Sequence, residues 1–213
     1  MRFHGFGIFK LLVVLGSNDV AIQQERVGVA VWELERYAST NSDLPVIVDV
    51  FITGGSKLLP GNDSILKSTE AAQMYRQISN QITASSTATA SATGSTINYI
   101  LDNTATNTVS NFLMLCSYLE STDIVYDEYT IVTSDFHYER SNRIVEWIFD
   151  NPVDFRWALS DTRGSPRYSV HTLRANEKVY MSMIKSDINQ QSELSDAERI
   201  LTLQFCDDHT NIV

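Results

Sequence analysis

Four segments of the chain repeat one pattern. In each, an apolar run rich in β-branched residues ends in small polar residues and leads into a stretch with helical spacing of apolar side chains. The four runs cover residues 10–15, 46–53, 97–102 and 129–133. Nearly continuous apolar strands joined by helices are typical of a parallel sheet buried on both faces. The pattern therefore predicts an α/β protein, a Rossmann-like three-layer α/β/α sandwich with a mostly parallel sheet of about five strands, because right-handed crossovers place helices on both faces.

The remaining elements follow from the same spacing rules. Residues 154–159 supply the fifth strand. Helices are predicted over residues 21–38, up to 82, 109–119, from after 137 through 149, 168–188 and 194–205. Ser68 is the expected N-cap of the second helix, and Ser195 with Glu198 forms a possible capping box. Residues 165–213 are thus expected to close the sheet as a helical C-terminal region.

The length of the chain, 213 residues, predicts a single domain over residues 1–213. Residues 83–96 consist almost wholly of Ala, Ser and Thr, with no charge and no large apolar side chain. Such a segment has little to bury, so we expect a surface insertion that is flexible or marginally helical, and not a linker between domains.

Charge and composition argue against several functions. Sixteen Lys and Arg against 26 Asp and Glu give a net charge of −10, which repels phosphate backbones, so nucleic acid is not an expected partner. Cys116 and Cys206 build no disulfide framework and no zinc cluster, which favours a reducing compartment and hence a cytoplasmic protein; no metal-binding residues are predicted, and the metal requirement cannot be inferred from composition. The chain also lacks the motifs of dinucleotide, P-loop, serine-hydrolase and zincin enzymes. Oligomeric state cannot be inferred from composition.

The first apolar run does not predict a membrane segment. It spans about 10 residues, 6–15, and is interrupted by Lys10, whereas a membrane helix needs about 20 apolar residues. Gly16, Ser17 and Asn18 fit a signal-peptide cleavage site only loosely. A buried first strand is the favoured interpretation, and no membrane association is expected.

Polar residues follow the predicted strands at the edge where ligands bind in open α/β sheets. At that edge the helix N-termini point N–H groups into the crevice. The candidates are Gly16 and Ser17 after the first strand, Gly54 and Gly55 after the second, Asn107, Thr108 and Asn111 after the third, and Thr133, Ser134, Asp135 and His137 after the fourth. We therefore predict a small-molecule pocket at the carboxyl ends of the strands.

Five motifs in this order resemble the SanA/YdcF-like family, a Rossmann-like domain family of poorly defined function. They are Leu-Gly-Ser at 15–17 with Arg26 in the next helix, Thr-Gly-Gly at 53–55, Glu70-Ala71, Asn-Thr-x-x-Asn at 107–111, and Val-Thr-Ser-Asp-Phe-His-x-x-Arg at 132–140. The resemblance covers about residues 11–149. It implies a nucleotide-like or phosphorylated ligand, with S-adenosylmethionine or another adenosine-containing molecule as the first candidate.

The match departs from the family pattern at three positions. Asp102 and Ser110 stand where the family usually has Glu, and Ala105 stands where Ser is common. The predicted site therefore carries fewer glutamates than the family pattern has, which slightly favours a protein that senses its ligand without transforming it.

His137 is the main catalytic candidate, because an imidazole at a strand end can act as acid or base near neutral pH. A loop or capping role is the alternative. Asp135 either orients His137 or caps the next helix. Arg26 and Arg140 are suited to bidentate contact with a phosphate or carboxylate, or form salt bridges within the protein. Glu70 complements a helix dipole or, on the resemblance, holds a ribose hydroxyl or an Arg.

Neutral residues complete the predicted ligand site. Gly16, Gly54 and Gly55 permit close backbone approach or simply form turns. The Ser, Thr and Asn candidates offer hydrogen bonds or act as caps. Three functions remain open: an enzyme using His137, a ligand-sensing module, and a scaffold whose partner surface lies on the C-terminal helices.

Overall fold

The computed structural model describes residues 7–39, 42–55, 69–89, 95–149, 153–164, 166 and 168–190. Its strands are β1 (Ile8–Leu15), β2 (Val46–Thr53), β3 (Thr96–Asp102), β4 (Glu128–Ser134) and β5 (Phe155–Ser160). Its helices are α1 (Val20–Ala38), α2 (Glu70–Thr89), α3 (Thr108–Ser121), α4 (Tyr138–Ile148) and α5 (Val170–Gln190), with a 3₁₀ turn at Asp135–His137.

The five strands form one sheet in the order β3-β2-β1-β4-β5, and every neighbouring pair is parallel. The chain moves outward from β1 to β3 and then returns to place β4 on the other side of β1. The strand order therefore reverses between β1 and β4, and in such sheets a crevice opens outside the carboxyl ends at this point. The predicted Rossmann-like architecture is confirmed.

Alternation along the central strand separates two apolar layers. Leu12 and Val14 pack in one cluster with α1 and α2, and Leu11 and Val13 pack in the other with α3, α4 and the buried Tyr180 of α5. All four β1 side chains are fully buried. Burial on both faces is why the strand sequence is almost continuously apolar.

Ionic contacts at the amino end of the sheet fix α1 against β4 and β5. Glu33 of α1 is 1% exposed and accepts hydrogen bonds from Arg36 and from Arg156 of β5. Glu128, the first residue of β4, accepts from Arg36 Nη2 of α1 at 2.5 Å and from the Lys10 ammonium of β1 at 2.8 Å. These contacts orient the helix that carries Arg26 into the site at its other end.

The helix boundaries differ from the predicted ones chiefly in α2. This helix continues to Thr89 instead of ending near residue 82, so the first part of the Ala/Ser/Thr-rich segment is helical. Ser68, residues 90–94 and the predicted helix over 194–205 with Ser195 and Glu198 lie outside the described residues. None of the described helices is both long enough and apolar enough to cross a membrane.

Candidate functional site

A polar cavity of about 150 Å³ lies at the carboxyl ends of the strands. Most of the predicted site residues line it: Gly16, Ser17, Arg26, Gly54, Gly55, Glu70, Asn107, Thr108, Asn111, His137 and Arg140. Three others, Thr133, Ser134 and Asp135, are not among the lining residues. Helix α5 adds a wall that includes Asn176, Glu177 and Tyr180.

The starts of two helices face the cavity with well-formed caps. Asp19 caps α1, where its Oδ1 accepts from the backbone N–H groups of Ala21 at 3.0 Å and Ile22 at 3.2 Å. Asn107 caps α3 and forms a capping box with Ser110, whose N–H donates to Asn107 Oδ1 at 2.8 Å. The positive ends of both helix dipoles are therefore directed towards the cavity.

Polar contacts also fix the ends of β2 and β3. The Thr53 hydroxyl lies 2.6 Å from Asp102 Oδ2 and 3.0 Å from Asn111 Oδ1. The other oxygen of Asp102 accepts from the backbone N–H of Thr104 at 2.9 Å. Asp102 is 6% exposed and serves to hold the loop that leads into α3.

Glycines are required where the ends of β1 and β2 meet the start of α2. The Gly16 N–H donates to the Thr53 carbonyl at 2.8 Å, and the Ala71 N–H donates to the Gly54 carbonyl at 2.9 Å. Gly54 has φ of 147°, a conformation that favours glycine. These glycines thus allow three chain segments to approach closely, and their N–H groups are already used within the protein.

Substituting Gly16 and Gly28 with alanine should have opposite effects on stability. A Cβ at Gly16 would overlap Glu70 Oε2 and lie 2.8 Å from the Thr53 carbonyl oxygen, so Gly16→Ala is expected to destabilise by about 1–3 kcal/mol. A Cβ at Gly28, within α1, meets nothing within 4 Å, so Gly28→Ala should stabilise by about 0.4–1 kcal/mol. Urea denaturation of both variants tests this. Equal effects would contradict the close packing at Gly16.

Arg26 of α1 is a buried cation held by hydrogen bonds to the carboxyl ends of β1 and β4. Its Nε donates to Ser134 Oγ at 3.0 Å, and its Nη1 donates to the carbonyls of Leu15 and Gly16. Burial, with the nearby Arg140 charge adding to it and Glu70 opposing it, lowers the pKa of Arg26 to about 10. At 3% exposure it forms no ion pair with a described residue, and its Nη2 donates no hydrogen bond to one.

His137 is 6% exposed and contacts three polar side chains. Its Nδ1 lies 3.0 Å from Glu177 Oε1 and 2.8 Å from Arg140 Nη2, and its Nε2 lies 3.3 Å from Thr108 Oγ1. Burial and then the Arg140 charge lower the pKa of His137 to about 4, against an opposing effect of Glu177. The imidazole is therefore neutral at pH 7.

Glu177 is an ionised carboxylate between His137 and Arg140. Its Oε2 lies 3.0 Å from Arg140 Nε. Burial alone would raise the pKa of Glu177, but the charge of Arg140 and the hydrogen bond with His137 outweigh it, so the pKa is lowered. The Arg140 guanidinium also stacks on the Tyr180 ring, 4.5 Å from its centroid. Helix α5 thus completes the polar wall of the cavity.

Asp135 does not make the orienting contact with His137 that was considered for it. Its carboxylate accepts from Arg174 Nη2 at 2.8 Å and from the Phe136 N–H at 2.7 Å. Asp135 and His137 lie in a 3₁₀ turn with three residues per turn, so side chains two positions apart point in different directions. The carboxylate beside His137 is Glu177 instead.

Thr133 and Ser134 support the site from within the sheet. Both are fully buried, because side chains near the end of a strand point to the two faces of the sheet and not beyond its end. Ser134 Oγ accepts from Arg26 and from the Ser160 hydroxyl at 3.3 Å. Thr133 Oγ1 has no hydrogen-bond partner among the described residues. Neither hydroxyl contacts the cavity, contrary to the prediction.

Glu177 is the functional residue that the sequence did not reveal. It lies in a segment predicted only as a closing helix, with no motif around it. A physical signal did exist: a buried Arg and His need a carboxylate nearby, but the sequence does not say which one. Ser17 contributes locally, where its Oγ accepts from the Asp19 N–H at 3.3 Å.

Comparison with protein-family models, with curated proteins and with solved structures finds no match to this chain. Within the described ranges, no group of three or more His, Cys, Asp or Glu side chains is arranged to hold a metal ion. The chemistry of the cavity therefore has to be argued from its own contacts.

Proposed function

We propose that the cavity binds a small molecule through an anionic group placed against Arg26. The observation that carries this proposal is a guanidinium 3% exposed, lining the cavity, with no ion pair to any residue that the structure describes. A buried charge is costly unless it is paired. A phosphate or carboxylate would supply the missing partner and could accept from Nη2, the guanidinium nitrogen that donates to no described residue.

The other charged side chains around the cavity leave Arg26 as the residue that would bind the anion. Glu177 is paired with Arg140, and Asp19 is used as the cap of α1. Glu70 acts on Arg26 through its charge without reaching salt-bridge distance among the described contacts. The N-termini of α1 and α3 also face the cavity, and the positive ends of their dipoles favour a bound anion as well.

The ligand class we propose is nucleotide-like or phosphorylated. S-adenosylmethionine is the first specific candidate, on the SanA/YdcF-like resemblance, and it offers a carboxylate for Arg26. A cavity of about 150 Å³ encloses the anionic group and its immediate neighbours, and the rest of such a ligand would extend beyond it. Membership of the chain in that family is part of the same proposal.

His137 beside the bound group would serve as acid or base in an enzyme. A second candidate is a module that binds the ligand without converting it. The lowered pKa of His137, about 4, favours this alternative, because general bases work best with a pKa near the operating pH. A bound anion would neutralise part of the Arg26 and Arg140 charge and raise that pKa.

A thermal-shift screen with matched variants tests the proposal. The compounds are nucleotides, S-adenosylmethionine, sugar phosphates, succinate, inorganic phosphate and divalent metals. Arg26→Gln removes the guanidinium that would bind the anion. Arg143→Gln is the control, because Arg143 lies on α4 with its side chain 42% exposed and changes the net charge equally. Ligand at about 100 times its Kd should stabilise the wild type by about 2.7 kcal/mol, a shift of a few degrees.

We expect the shift to survive Arg143→Gln and to be lost in Arg26→Gln. Mass spectrometry of the incubated ligand then separates the enzyme from the sensing module, because only the enzyme yields a product. A thermal shift that persists in Arg26→Gln, or no shift from any compound, would refute the proposal that an anion binds at Arg26. Absence of all binding would instead favour a scaffold.

A further inference from the structure

We infer that Thr108 is a nucleophile activated by His137, with Glu177 as the residue that positions the imidazole. Thr108 Oγ1 lies 3.3 Å from His137 Nε2, and Glu177 Oε1 lies 3.0 Å from Nδ1 on the opposite side of the ring. A hydroxyl, an imidazole and a carboxylate connected in this order make up the triad that activates serine and threonine nucleophiles. The inference rests on the proposed function, since it assigns a reaction to the same cavity.

Glu177 favours the tautomer that this role requires. A carboxylate can only accept a hydrogen bond, so Nδ1 satisfies Glu177 when it carries the proton. Nε2 is then unprotonated and can accept the Thr108 proton. An unprotonated Nδ1 would accept from Arg140 Nη2 at 2.8 Å but place its lone pair 3.0 Å from Glu177 Oε1, which is repulsive. A protonated Nδ1 donates to Glu177 and requires Arg140 Nη2 to direct its N–H groups away from the ring. Arg140 contacts the other oxygen of Glu177.

The position of Thr108 suits a nucleophile. It is the first residue of α3, directly after the Asn107 cap, so negative charge developing on or near its Oγ1 lies at the positive end of the helix dipole. Thr108 lines the cavity although it is only 7% exposed, which shields the hydroxyl from bulk water. An ordinary capped helix start does not need a buried His–Glu pair beside its first side chain.

The substrate class is a small ester that also carries a carboxylate or phosphate. Arg26 lines the same cavity and its charge acts on His137, so an anion on Arg26 would anchor a molecule whose ester carbonyl lies at Thr108. Acyl transfer is the reaction that such a triad performs. A neutral ester would lack the anchor and should react more slowly.

The reaction balances with water as the second reactant. Thr108 Oγ1 bonds to the acyl carbon as its proton moves to His137 Nε2, and the bond from that carbon to the leaving oxygen breaks as the proton passes to this oxygen. Water then attacks the acyl carbon, giving a proton to Nε2, and the bond to Thr108 breaks as Oγ1 takes the proton back. The net change is ester plus water to acid plus alcohol.

The test uses p-nitrophenyl hemisuccinate, with neutral p-nitrophenyl acetate and p-nitrophenyl phosphate as comparison probes. Release of p-nitrophenolate is followed optically, and tandem mass spectrometry locates any succinyl group on the intact protein. Thr108→Val removes the hydroxyl at nearly constant volume, and Thr108→Ser keeps it. Glu177→Gln and His137→Gln complete the set, each assayed well below its own Tm.

We expect succinylation of Thr108 in the wild type, retention of turnover in Thr108→Ser, and at least about a hundredfold loss in Thr108→Val and His137→Gln. Glu177→Gln should lose about 10²- to 10⁴-fold in kcat, and ¹⁵N NMR should show its His137 proton shifted from Nδ1 to Nε2. A merely structural Glu177 would leave the tautomer unchanged.

Several outcomes would overturn the triad: no turnover of any probe, full activity in Thr108→Val, a succinyl group only on other residues, or phosphate monoester cleavage in place of acyl transfer. Anion binding at Arg26 is tested separately from the triad. If succinate still stabilises the wild type and Thr108→Val but not Arg26→Gln, binding at Arg26 stands and only the nucleophile is rejected.

Discussion

Replacing Glu177 with Ala is expected to lower the free energy of unfolding by about 3–5 kcal/mol. The carboxylate is 14% exposed and lies 3.0 Å from both Arg140 Nε and His137 Nδ1. Its removal breaks a buried ion pair with Arg140 and a buried hydrogen bond with His137 at the same time. Chemical denaturation at pH 7 measures the loss.

The matched control is Glu146→Ala. Glu146 also pairs with an arginine, Arg143, at 2.9 Å, but its side chain is 49% exposed. Exposed pairs of this kind contribute about 0–1 kcal/mol. The double variant Glu177→Leu with Arg140→Met should recover much of the lost stability, because it removes both charges together. Equal losses for Glu177→Ala and Glu146→Ala would show that the buried contact does not stabilise the fold.

Acidification should destabilise the protein between pH 6.5 and pH 4. The pKa of His137 is about 4 in the folded protein and 6.5 in the unfolded chain, so the unfolded chain binds more protons in this window. Stability is therefore fully present above pH 6.5 and declines as the pH falls towards 4. A difference of this size corresponds to about 3 kcal/mol over the whole window.

Denaturant unfolding at successive pH values tests this, with His137→Gln as the variant that removes the titrating group. The wild type should lose more stability than His137→Gln between pH 6.5 and 4, and their curves should run parallel above that window. The pKa of Glu177 is also lowered in the folded protein, so Glu177 contributes a loss of stability only when the pH falls below about 4.5, its pKa in the unfolded chain. Parallel curves throughout would mean that burial of His137 does not disfavour its proton.

The sequence was sufficient to predict the sheet and the edge that holds the cavity. Apolar runs over β1 and β2 predicted their strands, because strands buried on both faces need apolar side chains at nearly every position. The polar residues at their ends then had to meet, since the carboxyl ends of parallel strands lie on one edge. Gly16, Gly54 and His137 were placed correctly by this argument alone.

Side-chain direction and long-range pairing could not be predicted in the same way. Ser134 is the last residue of β4 and Asp135 follows it, yet Ser134 contacts Arg26 within the protein and Asp135 contacts Arg174. Glu177 reaches His137 from a helix 40 residues later in the chain, and no local pattern encodes that contact. Such pairings depend on how a distant helix docks.

Helix α5 lies outside the alternating strand–helix units and packs mainly against α4 and the 3₁₀ turn Asp135–His137. It nevertheless provides Glu177 and Tyr180, the partners of His137 and Arg140. The surroundings of the imidazole can therefore be changed by altering one peripheral helix while the sheet and its edge stay as they are. Chains with the same strand ends but a different last helix would keep the cavity at this edge and place different side chains against His137.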